Sequence, residues 1–295
     1  MLHATVLSCV KHGIGDEITL VGSLIAALIR RGFRVRLTTH HPLLYRHEKI
    51  EVAAWTASNP MQNVQDAGDV RVCFDNPAAV TLPLQFDVTP AVRERCRALG
   101  YLMIAGMANQ ASKNHAATFY DFAGAIIDSL GLELGTTPWP FLQRPRGRSI
   151  LLNPFGNDHL QKGMPRGLAW NVLERILESH AHLSFLLPLL DKMPQPPPTI
   201  SNHPNVQIER FEHGDPALLE RYLTAAGVIT AEGGGYHLAK AADIPALLVT
   251  SRQWYAQTRL VLPRGPHELV LFEQDNPEST QVIHVIRRWL DRDCP

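Results

Sequence analysis

The feature that most constrains this chain is a run of three glycines, Gly233 to Gly235, between an apolar stretch and a helical one. Residues 227–230 are apolar and typical of a buried strand, and residues 236–242 have helical character and stop before a proline. Glycines let a backbone approach a ligand closely, and the first N–H groups of a helix have no internal partners. The pattern suits an anion, although a tight strand-to-helix turn without any ligand satisfies it equally well.

A second glycine loop, His12-Gly13-Ile14-Gly15-Asp16, follows the first apolar run of the chain, residues 4–10. After it, hydrophobic residues recur at helical spacing up to Ile29, Gly32 provides a stop, and residues 33–38 alternate as a strand. This order predicts a βαβ unit. Its glycine loop would lie at the carboxyl end of the first strand, where open α/β sheets bind ligands.

The pattern restarts in the second half of the chain. Residues 136–148 are rich in proline and arginine and are the best candidate for a linker. We therefore predict two α/β domains, residues 1–143 and 144–295, and leave open whether the last helix, about 278–290, packs back on the first domain. In the stretch 50–135 the sequence predicts a strand near 70–74 and a helix near 120–130, and assigns little else.

Composition excludes several classes of function. With 28 basic and 28 acidic residues, the chain has no basic field to attract nucleic acid. The four cysteines are scattered and the histidines lack a usable third ligand, so we expect reduced thiols, no metal site and a cytoplasmic protein. No apolar run reaches the length of a membrane span. Neither half contains GxGxxG, which disfavours a nicotinamide or flavin cofactor.

Four side chains near these loops could carry chemistry, and each has a plainer alternative. Asp16 could be a general base or only a first-turn acid of a helix. Lys162, in a polar loop before a helix, could bind phosphate or be an exposed lysine. His237 could donate to a phosphate or sugar oxygen or simply be packed. Glu232 would repel phosphate and is better suited to accept hydrogen bonds from sugar hydroxyls.

Three segments together resemble a known family. Gly13-Ile14-Gly15-Asp16 looks like the opening motif of the bacterial heptosyltransferases, glycosyltransferase family 9. The stretch 153–156 followed by 162–165 resembles the proline-glycine loop and the Lys-x-Trp-Pro segment of that family, and 232–239 is similar to its Asp-Thr-Gly-x-x-His-Leu-Ala signature. The three matches occur in family order. The implied fold class is α/β, with two Rossmann-like domains facing across a cleft, the GT-B fold.

The resemblance also implies a reaction: transfer of a sugar, with inversion, from a nucleotide-diphosphate donor such as ADP-heptose to a hydroxyl of a glycan or glycolipid, without metal or cofactor. Asp16 would be the base, with His12, Gly13 and Gly15 on the acceptor side. On the donor side, Asn157 and Asp158 match family positions that contact phosphate, and Asp191 is a candidate for a ribose hydroxyl. Donor binding would also involve Lys162, Glu232, Gly233, Gly234, Gly235 and His237.

The chain departs from the family pattern at three positions: Glu stands for Asp at 232, Gly for Thr at 233 and Met for Trp at 164. The nucleotide base, the sugar and the acceptor therefore stay open. So do two alternatives, a nucleotide-sugar hydrolase or epimerase on the same fold, and an inactive nucleotide-sugar-binding homologue. If the protein assembles lipopolysaccharide or another surface glycan, a transient contact of the protein with the inner-membrane surface would be compatible with that role.

Overall fold

The computed structural model describes the chain except for residues 9–13, 57–58, 76–89, 106–118, 136–137, 156–162, 191–192, 194, 213–214, 259–267, 273–278 and 294–295. The chain divides into two compact units, the first comprising Met1–Leu142 and the second beginning at Gln143.

Unit 1 is built on a parallel sheet of five strands in the order β3-β2-β1-β4-β5. The strand order diverges from β1, as in doubly wound α/β folds. In the described residues, α-helices follow β1, β4 and β5, whereas β2, β3 and β4 are joined by segments that contain only 3-10 turns. Its elements are β1 (His3–Ser8), α1 (Ile14–Glu17), a π-helical turn (Ile18–Gly22), α2 (Ser23–Arg30), β2 (Arg34–Thr39), β3 (Ile50–Ala54), β4 (Val70–Asp75), α3 (Pro90–Ala98), β5 (Leu102–Ala105) and α4 (Phe119–Ser129), with 3-10 turns at Pro42–Leu44, Pro60–Asn63 and Pro140–Leu142.

The helix after β1 confirms its prediction and forms much of the core of unit 1. Every residue from Glu17 to Ile29 is buried, so this segment is enclosed on all sides. It ends at Arg30 and is followed by Gly32, whose φ of 93° suits a residue without a side chain. Phe33 N–H closes this end of the helix by donating to the carbonyl of Leu28 at 3.0 Å. The buried helix fixes where its first turn, with Asp16, emerges at the end of the sheet.

Unit 2 is built on a second parallel sheet, of six strands in the order β11-β10-β9-β6-β7-β8. Read from the other edge and renumbered from β6, this is the 3-2-1-4-5-6 order of dinucleotide-binding folds. Its elements are β6 (Ser149–Asn153), α5 (Arg166–Ser179), β7 (Ser184–Leu190), α6 (Pro198–Ser201), β8 (Val206–Phe211), α7 (Pro216–Thr224), β9 (Gly227–Thr230), α8 (Gly234–Ala241), β10 (Ala246–Ser251), α9 (Arg252–Thr258), β11 (Glu268–Phe272) and α10 (Ser279–Asp293).

The last helix, α10, packs against α5 and β11 inside unit 2. Val282, Ile286, Trp289 and Leu290 are buried in the same apolar cluster as the inward face of α5. These positions recur three or four residues apart, which is the spacing of one helix face. The apolar residues whose periodicity predicted α10 are thus the ones that pack it against its own unit.

The predicted linker is only partly a linker. Trp139, Phe141 and Leu142 are buried in unit 1, and the ring of Trp139 lies so close to Gly22 that a Cβ there would come within 2.7 Å of it. The proline-rich composition of residues 136–148 concealed these anchors. The sequence also left β3, α3, β5, α9 and β11 unassigned. β3 and α3 are mostly exposed, so burial imposes no clear apolar period on their sequences. Among the described residues, no helix has both the length and the apolar character needed to cross a membrane.

Candidate functional site

The glycine turn of unit 2 lies at the carboxyl edge of the sheet, between the central strands β6 and β9. Ala231 N–H donates to the carbonyl of Asn153 at 3.0 Å and extends the pairing of these strands by one residue. The chain then leaves the sheet, and α8 starts at Gly234. β6 and β9 are the point at which the strand order reverses, and open α/β sheets bind ligands there. The predicted strand, turn and helix are confirmed.

Gly233 has a backbone conformation in this turn that favours glycine. Its φ of 152° lies in the region that L side chains rarely adopt. A Cβ built on it would meet no heavy atom within 4 Å, so the space in front of the residue is open in the described structure. The turn therefore combines a backbone conformation specific to glycine with room beside the start of α8.

Gly235 is explained by packing. A Cβ at this position would lie 2.4 Å from a ring carbon of Tyr222, which α7 places beneath the first turn of α8. The hydroxyl of Tyr222 accepts a hydrogen bond from Asn153 Nδ2 at 2.7 Å, and burial raises the pKa of the phenol. The third glycine thus allows Asn153, Tyr222 and the helix start to pack together.

Glu232 precedes the glycines and is buried, with 7% of its surface exposed. Trp254 donates its indole N–H to Glu232 Oε2 at 3.3 Å. His237, buried in the first turn of α8, has its Nε2 atom 3.9 Å from Glu232 Oε1. The sequence singled out Glu232 and His237, and the structure brings them together. Trp254 was missed, because nothing in the sequence links a residue of the next βα turn to this one.

In unit 1, Asp16 is exposed in the first turn of α1, just beyond the carboxyl end of β1. Gly15 is partly buried beside it, and its carbonyl accepts a hydrogen bond from Thr19 Oγ1 at 2.8 Å. An exposed carboxylate on a buried helix, at the edge of a parallel sheet, can accept a proton from a bound hydroxyl. The segment from Ile18 to Gly22 is a π-helical turn, a form often found at functional sites.

The neighbouring acid, Glu17, has the opposite environment and is fully buried. Its carboxylate accepts hydrogen bonds from three hydroxyl groups: Ser8 at 2.9 Å, Thr39 at 2.5 Å and Tyr45 at 3.1 Å. Ser8 and Thr39 are the last residues of β1 and β2. Glu17 thereby anchors the first turn of the helix to two strand ends. The available signal was a hydroxyl residue at the end of each of the first two strands.

A second acid missed by the sequence closes β4. Asp75 is buried and receives two hydrogen bonds from Arg93 of α3, from Nε at 2.5 Å and from Nη2 at 3.2 Å. Because β4 is the neighbour of β1, this ion pair lies at the same carboxyl edge as Ser8. Burial of a carboxylate requires such a partner.

Six of the predicted site residues lie outside the described part of the chain: His12, Gly13, Asn157, Asp158, Lys162 and Asp191. Within the described part, no group of three or more histidine, cysteine, aspartate or glutamate residues is arranged to hold a metal ion.

The architecture is similar in fold to that of several glycosyltransferases of known structure. The chain is similar to Escherichia coli heptosyltransferase WaaC with ADP, at 12% identity and a TM-score of 0.65 over 98% of this chain and 99% of that one. It is similar to the E. coli ADP-heptose lps heptosyltransferase II, at 10% identity and a TM-score of 0.61 over 99% of both chains. It is also similar to a glycosyl transferase family 9 protein of Veillonella parvula, at 9% identity and a TM-score of 0.58 over 97% of both.

No protein-family model matches the chain, and no curated protein matches it in sequence. The likeness is therefore one of fold, and it extends over the whole length of the chain. It confirms the predicted fold class, two Rossmann-like α/β domains of the GT-B type, and the predicted structural resemblance to heptosyltransferases.

Proposed function

We propose that the protein is a metal-independent, inverting glycosyltransferase that moves a sugar from a nucleotide-diphosphate donor to a hydroxyl acceptor. The observation that carries the proposal is Asp16, an acid exposed in the first helical turn at the carboxyl edge of one parallel sheet. In the second sheet the corresponding edge presents an open glycine turn and a helix start. The first arrangement suits a base, and the second suits a diphosphate.

On the donor side, the N–H groups at the start of α8 bind the diphosphate. Gly233 is partly exposed and leaves open space, so a phosphate can approach the backbone. Glu232 faces the sugar, because a carboxylate repels phosphate but accepts hydrogen bonds from hydroxyl groups. His237, Lys162, Asn157, Asp158 and Asp191 complete the proposed donor contacts.

In the reaction, an oxygen of the acceptor hydroxyl attacks the anomeric carbon of the donor sugar and forms the new glycosidic bond. The bond from that carbon to the diphosphate oxygen breaks, and the nucleoside diphosphate leaves with the electron pair. Asp16 takes the hydroxyl proton, with His12, Gly13 and Gly15 on the acceptor side. Attack opposite to the leaving group inverts the anomeric centre. The helix start and Lys162 stabilise the charge that grows on the diphosphate, so no metal is required.

For the donor we propose ADP-heptose or a related nucleotide sugar, and for the acceptor a lipopolysaccharide core or another surface glycan. The support comes from the similar structures, one of which was solved with ADP and another of which is an ADP-heptose lps heptosyltransferase. The protein would act in the cytoplasm, with transient contact to the inner-membrane surface where a glycolipid acceptor requires it.

The test is transfer from ADP-heptose to lipopolysaccharide stripped of its core heptoses, with and without a metal chelator. Asp16→Asn keeps the size of the side chain and removes its basicity, so we expect turnover to fall about 100-fold to 10,000-fold while ADP-heptose binding persists. Asp128→Asn, at an exposed acid of α4, is the matched control and should leave turnover unchanged. Unchanged turnover in Asp16→Asn would reject Asp16 as the base, and loss of activity with chelator would reject metal independence. ADP release that is equally fast without acceptor would indicate a hydrolase.

A further inference from the structure

The βα turn after β10 presents a side chain to the βα turn after β9. β9 and β10 are adjacent parallel strands, so both turns emerge at the same edge of the unit 2 sheet. Glu232 follows β9 by two residues, and Trp254 follows β10 by three. The hydrogen bond from the indole N–H of Trp254 to Glu232 Oε2, 3.3 Å long, joins the two turns.

Trp254 is itself fixed in place. Ser251, the last residue of β10, is buried, and its Oγ accepts the backbone N–H of Trp254 at 3.1 Å. This is the geometry of an N-terminal helix cap, in which the cap hydroxyl satisfies a donor in the first turn. The indole therefore extends from a capped helix start, and its N–H reaches Glu232 from a backbone held by the sheet.

The hydrogen bond from Trp254 leaves the Glu232 carboxylate suited to accept hydrogen bonds from a ligand. A glutamate has one more rotatable bond than an aspartate, so its carboxylate can reach a fixed position only if something holds it there. The indole is a neutral donor, so it places no positive charge beside the carboxylate. A carboxylate has about four lone-pair positions, so it can accept the indole N–H together with other donors. His237 Nε2, 3.9 Å from Oε1, bounds the other side of the group.

We propose that Trp254 is a positioning residue for the donor sugar: it holds Glu232 in the rotamer that accepts hydrogen bonds from hydroxyl groups of that sugar. The inference rests on the proposed function and deepens it, because the specificity for the donor sugar then depends on a contact between two βα turns. Trp254 selects for a sugar with hydroxyl groups within reach of the Glu232 carboxylate, and it leaves binding of the nucleotide unaffected.

Two probes separate the sugar from the nucleotide: ADP and ADP-heptose, each titrated by calorimetry. The measured quantity is the ratio of their affinities. Trp254→Phe keeps an aromatic ring and removes the N–H, so we expect ADP to bind as to the wild type and the preference for ADP-heptose to fall about tenfold, the effect of one hydrogen bond to a charged group. Gln253→Ala, at an exposed neighbour on α9, is the matched control and should keep the full preference.

Two further variants complete the test. Glu232→Gln should lower the same ratio, and combining it with Trp254→Phe should lower it no further, because both act through one carboxylate. If Trp254→Phe fails to fold, Ser251→Ala is the substitute. It removes the hydroxyl that caps α9, so the Trp254 indole is held less firmly, and the preference for ADP-heptose over ADP should fall by a smaller factor. Circular dichroism identifies the variants that fold.

The outcomes separate this inference from the function on which it rests. A wild type that binds neither ADP nor ADP-heptose overturns the proposed donor class. A wild type that binds both equally well leaves nucleotide binding intact and overturns the positioning role. An equal fall in both affinities in folded Trp254→Phe assigns the residue a purely structural role, and an unchanged ratio removes it from donor recognition; either result overturns the inference.

Discussion

Tyr45 donates its hydroxyl group to Glu17 at 3.1 Å, and both side chains are buried beneath the first turn of the helix that carries Asp16. Burial raises the pKa of Tyr45 well above its usual value, and the neighbouring Glu17 adds to the effect. The two residues are 28 positions apart in the sequence. Their contact ties the helical turn that carries the exposed Asp16 to the chain segment that follows β2.

We expect Tyr45→Phe to lower the free energy of unfolding by about 1 to 3 kcal/mol, because it leaves a buried acceptor short of one donor. Glu17→Gln keeps the shape of the side chain and weakens all three hydroxyl contacts. Urea unfolding of both variants and of the double variant gives their interaction energy. If the losses in unfolding free energy of Tyr45→Phe and Glu17→Gln simply add in the double variant, the contact between the two residues contributes nothing to stability.

Alanine substitutions of Gly233 and Gly235, at the start of α8, should each lower the stability of the protein, but for different reasons. Gly235→Ala forces a Cβ to within 2.4 Å of the Tyr222 ring, and such overpacking costs about 1 to 3 kcal/mol. Gly233→Ala meets no neighbour, yet must adopt a φ of 152°, a strain of about the same size.

Gly167, at an exposed position near the start of α5, is the matched control for these glycines, because a Cβ there meets nothing within 4 Å and its φ is not positive. Gly167→Ala should stabilise the protein by up to about 1 kcal/mol. Thermal unfolding of the three variants tests the distinction, and a neutral Gly235→Ala would show that Tyr222 can move aside.

The protein should lose stability at alkaline pH. Burial raises the pKa of Tyr101 to about 12, above the value near 10 expected for the unfolded chain. The native phenol therefore keeps its proton where the unfolded one ionises. Its contribution is complete below pH about 10 and is lost as the pH rises towards 12. Urea midpoints measured across this range should fall, and fall less in Tyr101→Phe. Equal slopes for both proteins would contradict the assignment.

Cys73 and Cys96 should resist alkylation in the native protein. Neither forms a disulfide and both are fully buried, and a hydrogen bond with Cys73 together with burial raises the pKa of Cys96. Because the thiolate is the reactive form, a buried neutral thiol is inert. Iodoacetamide treatment followed by peptide mass spectrometry should leave both unmodified until denaturant is added. Rapid labelling of either residue in native buffer would show that β4 and α3 open locally.

The helices that follow the two glycine loops were accessible from the sequence, because their signals are local, whereas α9, which carries Trp254, was not. The helix after β1 was predicted from apolar residues three and four apart, and α8 from glycines between two apolar runs. Elements on the outside of unit 1 gave no such signal. α3 buries only Val92 and Cys96, so most of its sequence lacks the apolar pattern of a packed helix.

By itself the sequence determined the α/β class, the glycine turn at 233–235 and the position of Asp16 at the start of a helix, because each depends on backbone preference and short-range periodicity. Tertiary structure alone decided which strands are neighbours. It therefore decided that Trp254 meets Glu232 and that Ser8 and Thr39 close on Glu17. Those contacts join residues 9 to 22 positions apart through adjacent strand ends, and no local pattern in a sequence specifies the order of strands in a sheet.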